Sequence, residues 1–316
     1  LLVIDRRGDG LIHSHFGSLG SFLSRGDLLV VNRSRVIPAR LVGARPGGGN
    51  AEVLLVRRHS SGEWDALLRP ARRLKPGGRV EIAEGVSVTV LSGPLADGRR
   101  RVRLECAPLS EAEALRRYGS LPLPPYITRQ ATAEDEERYQ TVFAREDGSV
   151  AAPTAGLHFT PELLTALAAE GIDVTEVLLH VGPGTFQPIR DPEVLGHKLA
   201  PEWCFVPPEA ADCIARTRAA GGRVIAVGTT VTRTLESAAS EGGLVTPGAR
   251  EANIFVTPGY RFRVVDGLIT NFHLPRSSLL VLVSAFAGRE RILRAYREAI
   301  RCGYRFYSYG DACLIQ

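Results

Sequence analysis

Five short stretches combine histidine, threonine, asparagine or aspartate with glycine or proline, the make-up of a rigid polar site rather than of a packed core. Residues 152–160 carry Thr154 and His158 into a helix start, where free backbone N–H groups favour an anion. Residues 180–188 follow a strand with His180, Gly182, Gly184, Thr185 and Gln187, a turn at the usual ligand edge of an α/β sheet. This turn lacks the third glycine and the following helix of a dinucleotide fingerprint. Residues 227–237 read as a strand, then Gly228, Thr229 and Thr230, then a helix carrying Arg233, in outline a cradle for a carboxylate or phosphate. Residues 270–278 present Asn271 and His273 at a strand end. Residues 304–311 read as an aromatic strand that closes on Tyr309 and Asp311.

Several chemistries are disfavoured. Three of the seven histidines fall in these stretches, and none has the H-E-x-x-H or H-x-x-E-H spacing, so no catalytic metal is expected. No serine lies in G-x-S-x-G, which argues against an α/β-hydrolase. The five cysteines are odd in number and contain no C-x-x-C, so neither a disulfide framework nor a zinc knuckle is expected. A reducing, cytoplasmic setting follows. The longest apolar run, 279–287, is interrupted by Ser284 and falls short of the ~20 residues that cross a bilayer. No long exposed apolar strand or heptad is evident, and a monomer is expected. Leu1 falls inside what reads as a strand, so a preceding segment is also expected.

The charge is unevenly placed. The chain of 316 residues carries a net charge of +5, and of its 39 basic residues only Lys75 and Lys198 are lysine. Arg69, Arg72, Arg73, Lys75 and Arg79 fall within eleven positions that hold no acid, and residues 98–103 add four more arginines. Clusters of this kind attract phosphate backbones in a salt-dependent manner.

The elements that must position these groups fall into two textures. Residues 1–37 read as two strands, a short helix and a buried strand over 28–32. From 40 to 107, short alternating stretches (51–58, 63–69, 79–82, 86–91 and 101–106) are separated by Gly, Pro and Asp turns, the pattern of a small barrel or sandwich. Ser110 and Glu113 have the spacing of a capping box. Helices and strands then alternate to the end. Helices are expected over 161–170, 209–220, 230–239 and 278–301 (one or two), and strands over 172–181, 223–227, 253–256, 261–271 and 304–308. The expected architecture is a mixed-sheet α/β domain, 1–39 and 108–316, into which an all-β barrel-like domain, 40–107, is inserted.

The stretches occur in a recognisable order. Residues 26–32 and 36–40, 121–127, 139–144, 151–159, 180–188, 227–237, 270–275, 282–288 and 304–311 together resemble the S-adenosylmethionine:tRNA ribosyltransferase-isomerase family of queuosine biosynthesis. The match runs over nearly the whole chain and is thinnest in the all-β insert. Ala200 stands where the family has a second histidine after His197, and Val231–Thr232 replaces a more usual Ser-Val pair. The resemblance implies transfer and isomerisation of the ribosyl group of S-adenosylmethionine onto 7-aminomethyl-7-deazaguanine at the wobble position of a tRNA. Epoxyqueuosine, adenine and methionine are the implied products. S-adenosylmethionine is a co-substrate, and no metal or further cofactor is implied.

That reaction sets physical requirements. A sulfonium acidifies the adjacent C5′ protons, so a base is needed, and adenine leaves only if a proton reaches it. On this reading the base lies among His158, His180 and His273, with Asp311 or Glu202 facing the sulfonium. Thr154, Gly182, Gly184, Thr185, Gln187, Thr229, Thr230, Arg233, Asn271 and Tyr309 would hold the co-substrate. Arg69, Arg72, Arg73, Lys75 and Arg79 would track anticodon-arm phosphates. Two alternatives compete. An RNA methyltransferase would share the co-substrate but needs a helix directly after its glycine loop, which residues 185–188 oppose. A non-catalytic RNA-binding protein would explain the arginines but not the polar stretches.

Overall fold

The computed structural model describes residues 1–8, 10–60, 62–129, 131–186 and 200–316. Gln187 and His197 therefore lie outside the described residues. Two compact units divide the chain, Leu1–Ser34 with Gln140–Glu146 and Pro153–Gln316, and Arg35–Tyr139 with Asp147–Ala152.

The first unit is built on a 9-stranded sheet. Four parallel strands, Asp173–Leu179, Leu28–Asn32, Val224–Val227 and Gly267–Asn271, lie side by side. Ala312–Ile315 then runs antiparallel to Gly267–Asn271, with Leu2–Ile4 and Leu11–His13 beyond it. On the other side, Glu202–Val206 and Gly248–Ala252 extend the sheet antiparallel. Strands covered on both faces need apolar residues at every position, and here successive residues alternate between two cores. Leu28, Val30, Val224, Ala226, Leu268, Cys313 and Ile315 pack with helices Pro208–Ala219, Thr229–Ala238, Ser278–Ala287 and Arg289–Arg301. Leu29, Val31, Ile225, Val227, Ile269 and Leu314 pack with Leu19, Phe159 and Leu167 on the opposite face. At φ +88, Gly288 leaves the helical region and divides 278–301 into two helices.

The second unit is a closed antiparallel barrel of six strands. Its order is Arg40–Ala44, Asn50–Ser60, Glu63–Arg69, Arg100–Glu105, Val86–Val90 and Arg79–Ala83, closed by the pairing of Ala44 with Glu81. Gly43 permits that closure, because a Cβ there would lie 2.2 Å from the Glu81 carbonyl oxygen. The unit is wider than the 40–107 insert expected from the sequence. Helix Glu111–Tyr118 belongs to it, since Ala114 and Leu115 join the barrel core of Val53, Leu55, Val88 and Val102. The helix starts at the capping box, in which the Ser110 N–H donates to Glu113 Oε2 at 2.9 Å.

The strand expectations for 253–256 and 304–308 fail, and that for 261–271 holds only over Gly267–Asn271. Residues 253–256 and 261–266 form no strand, and the edge strand is Gly248–Ala252 instead. The buried Glu236 carboxylate accepts the N–H groups of Arg263 (2.9 Å), Val264 (3.1 Å) and Val265 (3.0 Å), which removes them from any ladder. Residues 304–308 are likewise not a strand. Tyr307, at φ +74, turns the chain, and Tyr304 and Phe306 pack on Phe272 with ring centroids 5.6 and 4.9 Å away.

Candidate active site

The four parallel strands end at one edge of their sheet, where backbone direction and crossover geometry leave room for a ligand. His180 follows the first of these ends, Gly228 and Thr229 the third, and His273 the fourth, which itself finishes at Asn271. Ala312 pairs with Asn271 across the antiparallel neighbour, so Asp311 reaches the same edge. The 3₁₀ turn Thr154–His158 also comes to this edge, with Thr154 half-buried at its start. A Cβ on Gly228, whose φ is +101, would lie 3.6 Å from Ala155 Cβ. Four of the five stretches singled out in the sequence therefore meet here through their described residues, with the start of the fifth, 180–186.

Asn271 is the hub of the edge. Its Nδ2 lies 3.3 Å from His158 Nε2 and donates to the carbonyl oxygens of Tyr307 (3.0 Å) and Ser308 (3.4 Å). Its Oδ1 is buried with no partner among the described residues. The His158 ring rests on Phe16, centroid to centroid 5.0 Å, and burial lowers its pKa to about 4 against the opposing pull of Asp311. Asp311 is half-exposed, accepts the Arg305 N–H at 2.7 Å, and lies 3.4 Å from that arginine's guanidinium. Tyr309 is half-buried in the same loop.

Two predicted assignments change. Glu202, expected to face a sulfonium, is 7% exposed and already taken. One of its oxygens accepts the Gly182 N–H at 2.9 Å, and the other pairs with Arg233. Arg233, expected to take a carboxylate from the substrate, is 5% exposed and spends its guanidinium on Glu202 and on the Ala252 carbonyl (2.8 Å). Both side chains therefore fix the 180–182 turn and the helix Thr229–Ala238. That helix has no side-chain cap, and Thr230 Oγ1 is buried without a partner among the described residues. Among the described residues, no side chain caps its first N–H groups, and a helix start of this kind can take an anion.

The other two histidines differ in kind. His273 is 8% exposed, its Nε2 lies 2.9 Å from Thr270 Oγ1, and burial lowers its pKa to about 3. It is tied into the core. His180 is half-buried beside Trp203 with ring centroids 5.0 Å apart, and its Nε2 has no partner among the described residues. Burial lowers its pKa as well. Gly182 is held by Glu202, while Gly184 and Thr185 belong to the turn Pro183–Phe186.

On the barrel, Arg69, Arg72, Arg73 and Lys75 are all exposed, and none has an ion pair among the described residues. The turn that carries them is pinned by Leu74, 2% exposed, and braced by Arg100, which donates to the Ala71 carbonyl at 3.1 Å. Arg79 differs, pairing with Glu81 (2.5 Å) and Glu105 (3.3 Å). In the second arginine cluster, three of the four charges are paired with acids. Arg99 pairs with Asp97 at 2.5 Å, Arg101 with Asp65 at 3.0 Å and Arg103 with Glu63 at 2.9 Å.

Sequence reasoning missed Asn32, whose Nδ2 donates to Leu179 O at 2.9 Å while its Oδ1 accepts the Leu179 and Ser34 N–H groups at 3.1 Å. Its signal was a polar residue closing the buried run 28–32. Elsewhere, His13, Glu298 and Cys302 bring three potential metal-ligand atoms within 4.8 Å of one another, but Arg301 holds Glu298 at 2.7 Å and competes with any cation.

A polar ligand edge on an α/β sheet, carried in one chain with a barrel whose 69–75 turn holds four cations with no ion pair among the described residues, fits the class of enzymes that act on an anionic substrate. Residues 1–315 match the family model described as queuosine biosynthesis protein, and the chain belongs to this family. It is 51% identical over 316 residues to the S-adenosylmethionine:tRNA ribosyltransferase-isomerase of Pelotomaculum thermopropionicum, covering 100% of this chain and 92% of that one. The Gloeobacter violaceus protein of the same name is 52% identical over 315 residues, covering 100% and 88%. Among solved structures, S-adenosylmethionine tRNA ribosyltransferase from Thermotoga maritima aligns with a TM-score of 0.54 at 36% identity, covering 100% of this chain and 91% of that one.

Proposed function

We propose that the chain is an S-adenosylmethionine:tRNA ribosyltransferase-isomerase. It moves the ribosyl group of S-adenosylmethionine onto the aminomethyl group of 7-aminomethyl-7-deazaguanine in the tRNA anticodon. It isomerises that group to the epoxycyclopentanediol of epoxyqueuosine, and adenine and methionine leave. The observation that carries this reading is the convergence of His158, His180, Asn271, Asp311 and the uncapped helix start at Thr229 on one sheet edge, in a chain that belongs throughout to this family.

Each role follows from what its group has left to offer. The N–H groups of Thr229 and Thr230 take the methionine carboxylate, with the Gly182–Gly184 turn beside the ribose hydroxyls. Asp311 faces the sulfonium, because Glu202 is committed to Arg233. His180 accepts the C5′ proton. Burial favours its neutral imidazole, and its Nε2 has no partner among the described residues. Arg69, Arg72, Arg73 and Lys75 follow the tRNA phosphates.

Incubation with S-adenosylmethionine and tRNA bearing the aminomethyl-deazaguanine, scored by mass spectrometry, tests the reading. Free adenine with a heavier wobble nucleoside is expected. S-adenosylhomocysteine would instead identify a methyltransferase, and tRNA binding with no product would identify an RNA-binding protein.

A further inference from the structure

A neutral imidazole carries one proton, and the hydrogen bond made by one nitrogen decides whether the other is a donor or an acceptor. At His158 that bond is defined. Asn271 Nδ2 faces two backbone carbonyls, Tyr307 O at 3.0 Å and Ser308 O at 3.4 Å, and carbonyls only accept. The amide group there must therefore be the NH₂, since the reverse orientation would set Oδ1 against both oxygens. The same Nδ2 lies 3.3 Å from His158 Nε2. An Nε2–H would face this NH₂ donor to donor, which assigns Nε2 as the acceptor and the ring proton to Nδ1.

His158 Nδ1 makes no hydrogen bond among the described residues and is not among the buried polar atoms left without a partner. It is therefore open at the sheet edge. The charges that act on the ring are Asp311, which favours protonation, and Arg305 and the Leu1 amino group, which oppose it. Burial, the largest influence, acts with Arg305 and the Leu1 amino group against Asp311 and holds the ring neutral at pH 7.

We propose that Asn271 is a positioning residue that locks His158 as the Nδ1–H tautomer, so that His158 meets the substrate as a hydrogen-bond donor and not as a base. Such a donor suits the leaving adenine, whose ring nitrogens gain charge as the glycosidic bond breaks. The tautomer rests on the contacts of Asn271 alone, whereas the donor role rests on the proposed reaction at this edge.

Two measurements separate these layers. Nitrogen NMR of the free protein at pH 7, with His158 assigned through bonds from its backbone, reads the tautomer directly. A protonated Nδ1 and an unprotonated Nε2 are expected, with the preference relaxed in Asn271→Ala. A protonated Nε2 in the wild type would overturn the proposal, and this reading needs no variant to fold. The second compares His158→Asn with His158→Gln. The asparagine amide stands near the place of Nδ1 and the glutamine amide near that of Nε2. Losing a preorganised donor costs on the order of 10²-fold in kcat, so the glutamine variant is expected to fall that far and the asparagine variant clearly less. The reverse order would overturn the donor role while leaving the tautomer intact. If wild type released no adenine while showing the Nδ1–H tautomer, the proposed reaction would fail and the Asn271 assignment would stand.

Discussion

Glu202 and Arg233 form an ion pair with both side chains almost wholly out of solvent, tying the strand Glu202–Val206 to the helix Thr229–Ala238. The pair also anchors what lies around it, because Glu202 holds the Gly182 N–H and Arg233 the Ala252 carbonyl. Breaking a buried pair from one side leaves an uncompensated charge and costs about 3–5 kcal/mol. Arg233→Met should therefore lower stability by that order in urea unfolding monitored by circular dichroism. A variant as stable as wild type would show that the pair does not organise the turn.

His180 and His273 should separate function from stability. His180→Ala should lower kcat by roughly 10²–10⁴-fold, the usual worth of a positioned acid or base, with little change in the unfolding midpoint. His273→Ala should do the reverse, since it leaves Thr270 without its buried partner at a cost of about 1–3 kcal/mol. Paired kinetic and denaturation curves for the two variants check both.

The buried histidines also set a pH dependence. In the folded chain the His273 pKa is about 3, below the ordinary histidine value of 6.5. The unfolded chain thus binds the extra proton first, and stability falls as pH drops from 6.5 towards 3. The slope is of order 1.4 kcal/mol per pH unit for one such group. His273→Gln should flatten that part of the curve, measured by urea unfolding at stepped pH. An unchanged slope would mean that the ring is already protonated in the folded state.

Much of this was legible in the sequence, and the failures have physical causes. The buried strand 28–32 and the helix 161–169 announce themselves, one by an unbroken apolar run and the other by Thr160, whose Oγ1 accepts the Leu163 N–H at 3.2 Å. The polar stretches pointed to the edge because loops at strand ends need glycine and small polar residues. The fates of Glu202 and Arg233 were not legible, because they lie 31 positions apart and only the packed sheet brings them together. Glu236 was hidden for the same reason. It replaces a ladder partner for residues 27–29 positions ahead of it, so 261–266 reads as strand when taken alone. The two arginine clusters look alike as text. Their difference depends on Glu63 and Asp65, which reach Arg101 and Arg103 only across the Glu63–Arg69 pairing.

That difference makes a prediction about RNA. Arg72 and Arg73 have no ion pair among the described residues, and each phosphate left without its cation should reduce the log–log salt slope of binding by about 1. Arg72→Gln combined with Arg73→Gln should weaken tRNA binding and flatten the slope by about 2. Arg103→Gln, whose charge Glu63 already offsets, should leave the slope near wild type. Filter binding across a salt series checks both variants.

The central claim is that the ribosyl group, and not the methyl group, passes from S-adenosylmethionine to the tRNA. It is tested most directly with two batches of S-adenosylmethionine, one isotopically labelled in the ribose and one in the methyl group, each incubated with the enzyme and the aminomethyl-deazaguanine tRNA. Label should enter the tRNA from the ribose batch and stay with free methionine in the methyl batch. Methyl label in the tRNA, with ribose label left in S-adenosylhomocysteine, would contradict the account.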